Sequence, residues 1–116
     1  MATAVLFLGW NRPHAGKESE AFKFLMGEGR ETLGAFQKQG FFERVEQIVL
    51  TPHGGKTNGM LLLHGERAKL DELRRTDEFE RLSLKLNMLL DGYGVVPGLN
   101  GEGLAKAMER NKEILK

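Results

Sequence analysis

Cysteine is missing from the chain altogether. That excludes disulfides, thiol nucleophiles and cysteine-ligated metals, and it fits a reducing, cytoplasmic setting. A charge bias of either sign is missing too. The 17 lysines and arginines stand against 16 acidic residues, a formal net charge of +1. Such a balance gives no long-range attraction to DNA, RNA or anionic lipid, so neither nucleic acid nor a membrane is expected as a partner. No apolar run approaches the ~20 residues that cross a bilayer. The opening "ATAVLFLGW" is too short, and no basic residue precedes it. It reads as a buried strand and not as a secretory leader. Serine is scarce: Ser19 and Ser83 both fall in helical sequence, and neither lies in GxSxG. The 3 histidines, His14, His53 and His64, lack the short spacing of a metal motif such as HExxH. No metal or cofactor is expected.

What is present suits one domain of 116 residues. Residues 4–12, "AVLFLGWNR", are apolar on both faces and end at Pro13, as a central strand would. Residues 17–39 carry Phe22, Leu25, Met26, Gly29, Leu33 and Phe36 at helical spacing. Gly27, Gly29 and Gly34 weaken that helix by roughly 0.5–1 kcal/mol each relative to Ala and leave room for a neighbouring element. Residues 42–51 and 59–64 read as two strands of a hairpin. A helix starts near Glu66 with Leu70 and Leu73 on one face. The signal restarts at Asp77, which with Glu80 resembles a capping box, and Phe79, Leu82, Leu86 and Leu89 continue the stripe. Residues 93–98, "YGVVPG", form a last strand. Asn100 then caps a helix over 101–115 whose Leu104, Ala107, Met108 and Leu115 face inward.

The order βαββαβ over residues 4–98, plus a C-terminal helix, predicts a ferredoxin-like α+β fold: a four-stranded antiparallel sheet with helices on one face. The hairpin suggests what the other face holds. With a loop of even length, Ile48 and Leu50 join Leu61 and Leu63 on the helix-covered side. Val45, Gln47, Val49, Met60, Leu62 and His64 then form the open side. That set is too apolar for open water, and it implies an interface or a ligand cavity. With the opposite parity, Glu46 points into that space.

The βαββαβ order, the "DEFERL" helix opening and the Gly-Tyr-Gly-Val-Val last strand resemble the dimeric α/β-barrel superfamily. "LFLGWNRP" and "PHGG" are similar to short bacterial members of that group. The resemblance implies a homodimer whose sheets close a barrel around a small-molecule cavity. The group includes muconolactone isomerases, small quinone monooxygenases and haem-degrading monooxygenases. A cofactor-independent monooxygenase or isomerase for a small aromatic or acidic compound is therefore one reading. A non-catalytic protein whose sheet face is only a dimer interface is another, since fold does not dictate reaction. Asn11 occupies a place similar to the first-strand Asn of haem-degrading members. Residues 77–90 lack the histidine those members use as axial ligand, which argues against haem.

The candidate catalytic residues are His64, near the end of an apolar strand, and Asn11. Trp10, Arg12, Gln47, Met60, Leu62 and Tyr93 are candidate ligand contacts, with Arg12 suited to a carboxylate. Residues 53–59, "HGGKTNG", imitate a phosphate loop but fail its rule. Gly55-Lys56-Thr57 requires Gly where Leu50 stands, and the stretch leads into a strand, not a helix. It reads as a turn-rich hairpin loop at the mouth of a cavity.

Overall fold

The computed structural model describes residues 2–116. Its elements are β1 (Ala4–Trp10), β2 (Arg12–Pro13), α1 (Glu18–Met26), α2 (Glu28–Lys38), β3 (Arg44–Val49) and β4 (Gly59–Gly65), followed by α3 (Arg67–Arg74), α4 (Asp77–Leu89), β5 (Leu90–Asp91), β6 (Gly94–Leu99) and α5 (Gly101–Ile114). The main sheet runs β3-β4-β1-β6, antiparallel throughout. This is the ferredoxin-like order expected from the sequence. β1 is central because it pairs on both sides, which explains its apolar run. The two-residue strands β2 and β5 pair with each other and tie the start of the first crossover to the end of α4.

Strand parity places the core. Ala4, Leu6, Leu8 and Trp10 of β1 point to the helix side with Leu61 and Leu63 of β4, and all are buried. Phe36, Phe79, Leu70, Leu73, Leu82 and Leu86 of the helices close over them. Fully burying a leucine of this kind contributes about 1.5–3 kcal/mol. Phe36 meets Phe41 edge-on at 6.3 Å between centroids, which fixes the turn out of α2.

Four expectations need correction. The helix over 17–39 is two helices, broken at Gly27, whose φ of −112° and ψ of −100° leave the helical region. The cap of α4 is Thr76, not Asp77: its Oγ1 accepts a hydrogen bond from Phe79 N at 3.1 Å and donates to Leu73 O at 2.8 Å. One side chain thus joins the end of α3 to the start of α4. The helix over 101–115 does not turn Leu104, Ala107, Met108 and Leu115 inward, since α5 contains no buried residue and Leu115 is 83% exposed. Its start is held against the chain before β1: a Cβ on Gly103 would run into the carbonyl oxygen of Thr3. Asn100 stands at the N-cap position, but its side chain makes no cap hydrogen bond.

The fourth correction concerns parity in β3. Val49 pairs with Gly59, so the connecting residues run from 50 to 58, an odd count. Val45 and Gln47 therefore share the helix-covered face with Leu61 and Leu63. Ile48, Glu46 and Arg44 stand on the open face with Met60, Leu62 and His64.

Candidate functional site

α2 begins after the break at Gly27, and space remains between it and the inner face of β3. The result is a cleft of about 270 Å³ between α2, α4 and the sheet. Its floor is Val45, Gln47 and Leu61, and its far wall is Leu82 and Leu86. On α2, Arg30, Gly34 and Gln37 fall three and four residues apart, so they form one stripe along the rim. Gly34 faces open space in the cleft, since a Cβ built there meets nothing within 4 Å. Gly29 differs: its Cβ would lie 2.9 Å from the carbonyl oxygen of Phe24. Gln37 Nε2 donates to Glu43 O at 2.7 Å, while Arg30 forms no ion pair among the described residues. Apolar walls with a few polar groups are the usual make-up of a small-molecule site. Of the sequence candidates, only Gln47 lies here. The helix-borne residues were missed, although three glycines in one helical stretch signalled room beside it.

The open face is a different place. Phe7 of β1 lies between Leu62 of β4 and Val96 of β6 in the ladder, and its ring covers Gly9, where a Cβ would collide with it. Met60, Ile48 and Val5 extend this apolar surface. Among the described residues His64 is its one buried polar residue, 5% exposed. Asn100 Nδ2 donates to His64 Nδ1 at 3.1 Å, which puts the ring proton on Nε2, and Nε2 donates to Glu46 Oε1 at 3.1 Å. Both ring nitrogens are therefore occupied. Arg44 lies 3.7 Å from the same Glu46 oxygen. The Asn100 side chain is thus turned from its own helix toward the sheet, and its Oδ1 is buried without a partner.

The third place is the loop end of the sheet. Trp10 is buried on the helix side with its indole over Gly59, where a Cβ would meet the ring at 2.5 Å. Asn11 Nδ2 donates to Asp91 Oδ2 at 3.2 Å, and Asn11 Oδ1 accepts from Asn58 Nδ2 at 2.6 Å. Arg12 is exposed beside them. His64 pairs with Val5, and Asn11 lies six residues further along the strand, about 20 Å away at ~3.3 Å per residue. Asn11 and His64 therefore do not meet; Trp10 adjoins Asn11 at the loop end, and Gln47 faces the helix-side cleft. Met60 and Leu62 share the open face with His64.

Tyr93 borders none of these three places. Its hydroxyl lies 2.8 Å from Ser83 Oγ. Burial raises its pKa above the ordinary 10.0, and the Ser83 hydrogen bond lowers it by a smaller amount. The fold thus holds a proton that the unfolded chain gives up more readily. The resulting stabilisation is whole below the unfolded value and is lost as pH rises through the folded one. Tyr93→Phe is expected to flatten the fall of urea stability above about pH 10. An unchanged slope would place the alkaline sensitivity elsewhere.

No family model matches the sequence, and no curated protein matches it. Solved structures do. One, an ethyl tert-butyl ether D (EthD) family protein from Bacillus halodurans, superposes with a TM-score of 0.67 at 12% identity, covering 85% of this chain and 99% of that one. Another, a dimeric protein of unknown function and ferredoxin-like fold from Bacteroides fragilis, gives 0.59 at 12% identity, over 84% and 96% of the two chains. At such identity the likeness establishes the ferredoxin-like α+β fold. No helix among the described residues is long and apolar enough to cross a membrane.

Proposed function

We propose that the protein is a homodimeric small-molecule binding protein, with its ligand in the helix-side cleft and its open sheet face in the dimer interface. The carrying observation is the cleft of about 270 Å³, with apolar walls, Arg30 and Gln37 at its rim and Gln47 in its floor. That volume is close to the lower end for ligand sites, about 300 Å³. An apolar ligand with one carboxylate or carbonyl group fits this chemistry: the body lies on Leu61, Leu82 and Leu86, and the polar group meets Arg30. The lining contains no carboxylate, imidazole, phenol or hydroxyl. Proton-transfer catalysis by its own side chains would need one, so binding is favoured over an oxygenase or isomerase reading based on a side-chain base. The dimer rests on the open face around Phe7 and Leu62, and the Bacteroides fragilis neighbour, described as dimeric, supports it.

Gly34→Leu separates this reading from a structural one. The new side chain enters open space, and replacing an interior helix glycine stabilises by about 0.5–1 kcal/mol. The variant is expected to fold at least as well while filling the cleft. With 2-naphthoate as probe, backbone amide shifts at Arg30, Gly34 and Gln47 are expected in the parent chain and absent in Gly34→Leu. Equal shifts in both proteins would retire the cleft as the site.

A further inference from the structure

The loop over residues 50–58 is braced by its own side chains. His53 Nδ1 accepts a hydrogen bond from Gly55 N at 3.1 Å, so the ring proton sits on Nε2, which donates to Thr57 O at 3.0 Å. A Cβ on Gly55 would strike the His53 ring, and Gly54 has φ of 81°, so both glycines are required by this shape. Asn58 Nδ2 donates to Gly55 O at 3.2 Å as well as to Asn11, which anchors the loop to the end of β1. The backbone adds Asn58 N to Trp10 O at 2.9 Å and Leu50 N to Asn58 O at 2.8 Å. A plain turn needs none of these side-chain bonds. A preformed loop loses little conformational freedom when something binds to it.

Between this loop and the segment from Trp10 to Pro13 lies a second cleft, of about 560 Å³. Its walls combine two chemistries. Val49 is 71% exposed there and Leu50 is exposed beside it, an apolar surface open to water. Arg12 and Lys56 also line it, neither forms an ion pair among the described residues, and no acidic residue is in the lining. Arg12 also borders a hollow that holds Glu18 and Asp91, yet it pairs with neither.

We propose that this loop cleft is a second ligand site, for a small aliphatic carboxylate. The carboxylate meets Arg12 and Lys56, and the alkyl chain lies along Val49 and Leu50. Arginine suits a carboxylate because its planar fork can donate two parallel hydrogen bonds. The exposed apolar wall is the reason for an organic acid and not an inorganic anion. The site lies at the end of the sheet, apart from the helix-side cleft, and it stands whether or not that cleft binds anything.

Trp10 is the chain's sole tryptophan and lines this cleft, so its fluorescence reports occupancy. Hexanoate is the probe, with hexanol and hexylamine as its neutral and cationic counterparts. Saturable binding of hexanoate is expected, with amide shifts at Gly54, Gly55 and Lys56 and at least tenfold weaker binding of both counterparts. The double variant Arg12→Gln, Lys56→Gln is expected to weaken hexanoate at least tenfold with its circular dichroism unchanged. Val49→Asp, at an exposed position, puts a negative charge into the cleft and is expected to do the same. Hexanol binding as well as hexanoate would overturn the proposal, and so would variants that leave hexanoate affinity intact.

Discussion

Phe7→Glu is expected to leave the protein monomeric at concentrations where the parent chain is expected to sediment as the proposed dimer. Phe7 sits on β1, between Leu62 and Val96, at the middle of the open sheet face. In the proposed dimer a carboxylate at this position enters a dry interface from both subunits, without a partner charge. Burying an unpaired charge costs several kcal/mol. At about 1.4 kcal/mol per tenfold, a thousandfold weaker dimer is the expected scale. The fold should survive, because Phe7 points away from the core formed by Leu6, Leu8 and Leu63. Sedimentation velocity over a concentration series reads the outcome, with circular dichroism as the control for folding. A parent chain that is monomeric throughout, or a variant that still dimerises, would remove the interface from this face.

Leu63→Ala is the second large effect, and it acts on the opposite side of the same strand. Leu63 is 0% exposed, opposite Leu6 and Val45, under the helices. A buried leucine cut to alanine loses transfer energy and leaves a cavity, at about 2–5 kcal/mol. Against a domain stability of about 5–15 kcal/mol, that is a large fraction. The urea midpoint should fall with little change in slope. The loss should belong to the protomer, without the concentration dependence expected of Phe7→Glu. A cost below about 1 kcal/mol would mean that the core around Leu6 collapses into the vacated space.

How far the sequence carries depends on which signal each residue gives. The strand and helix order was legible because β1 and β4 are short apolar runs bounded by turn formers and α4 has clean helical periodicity, and the ferredoxin-like topology follows from that order. β3 was not legible in the same way. Its Arg-Val-Glu-Gln-Ile-Val alternation mixes polar and apolar residues on both faces, so only the pairing of Val49 with Gly59 decides which side Gln47 takes. The cleft was half legible. Its glycines marked space, but helix periodicity showed neither the break at Gly27 nor the rim that Arg30, Gly34 and Gln37 form. Asn100 gave a true cap position and a false cap bond, because His64 offers its side chain a competing acceptor. The stripe on α5 announced a covered face, whereas within this chain Met108 stays 61% exposed.

One layer of backbone separates the helix-side cleft from the open face. In the proposed dimer the sheets meet back to back, about 10 Å apart. The clefts of the two protomers then open outward in opposite directions, each completed by a single chain. Occupying one alters nothing that the other touches. Titration followed at the amides of Arg30 and Gln47 should give a hyperbolic isotherm for this cleft, with a Hill coefficient of about 1. Substitutions that retune assembly can accumulate on Phe7 and Leu62 without touching specificity at Arg30 and Gln47, so the two properties are free to evolve separately.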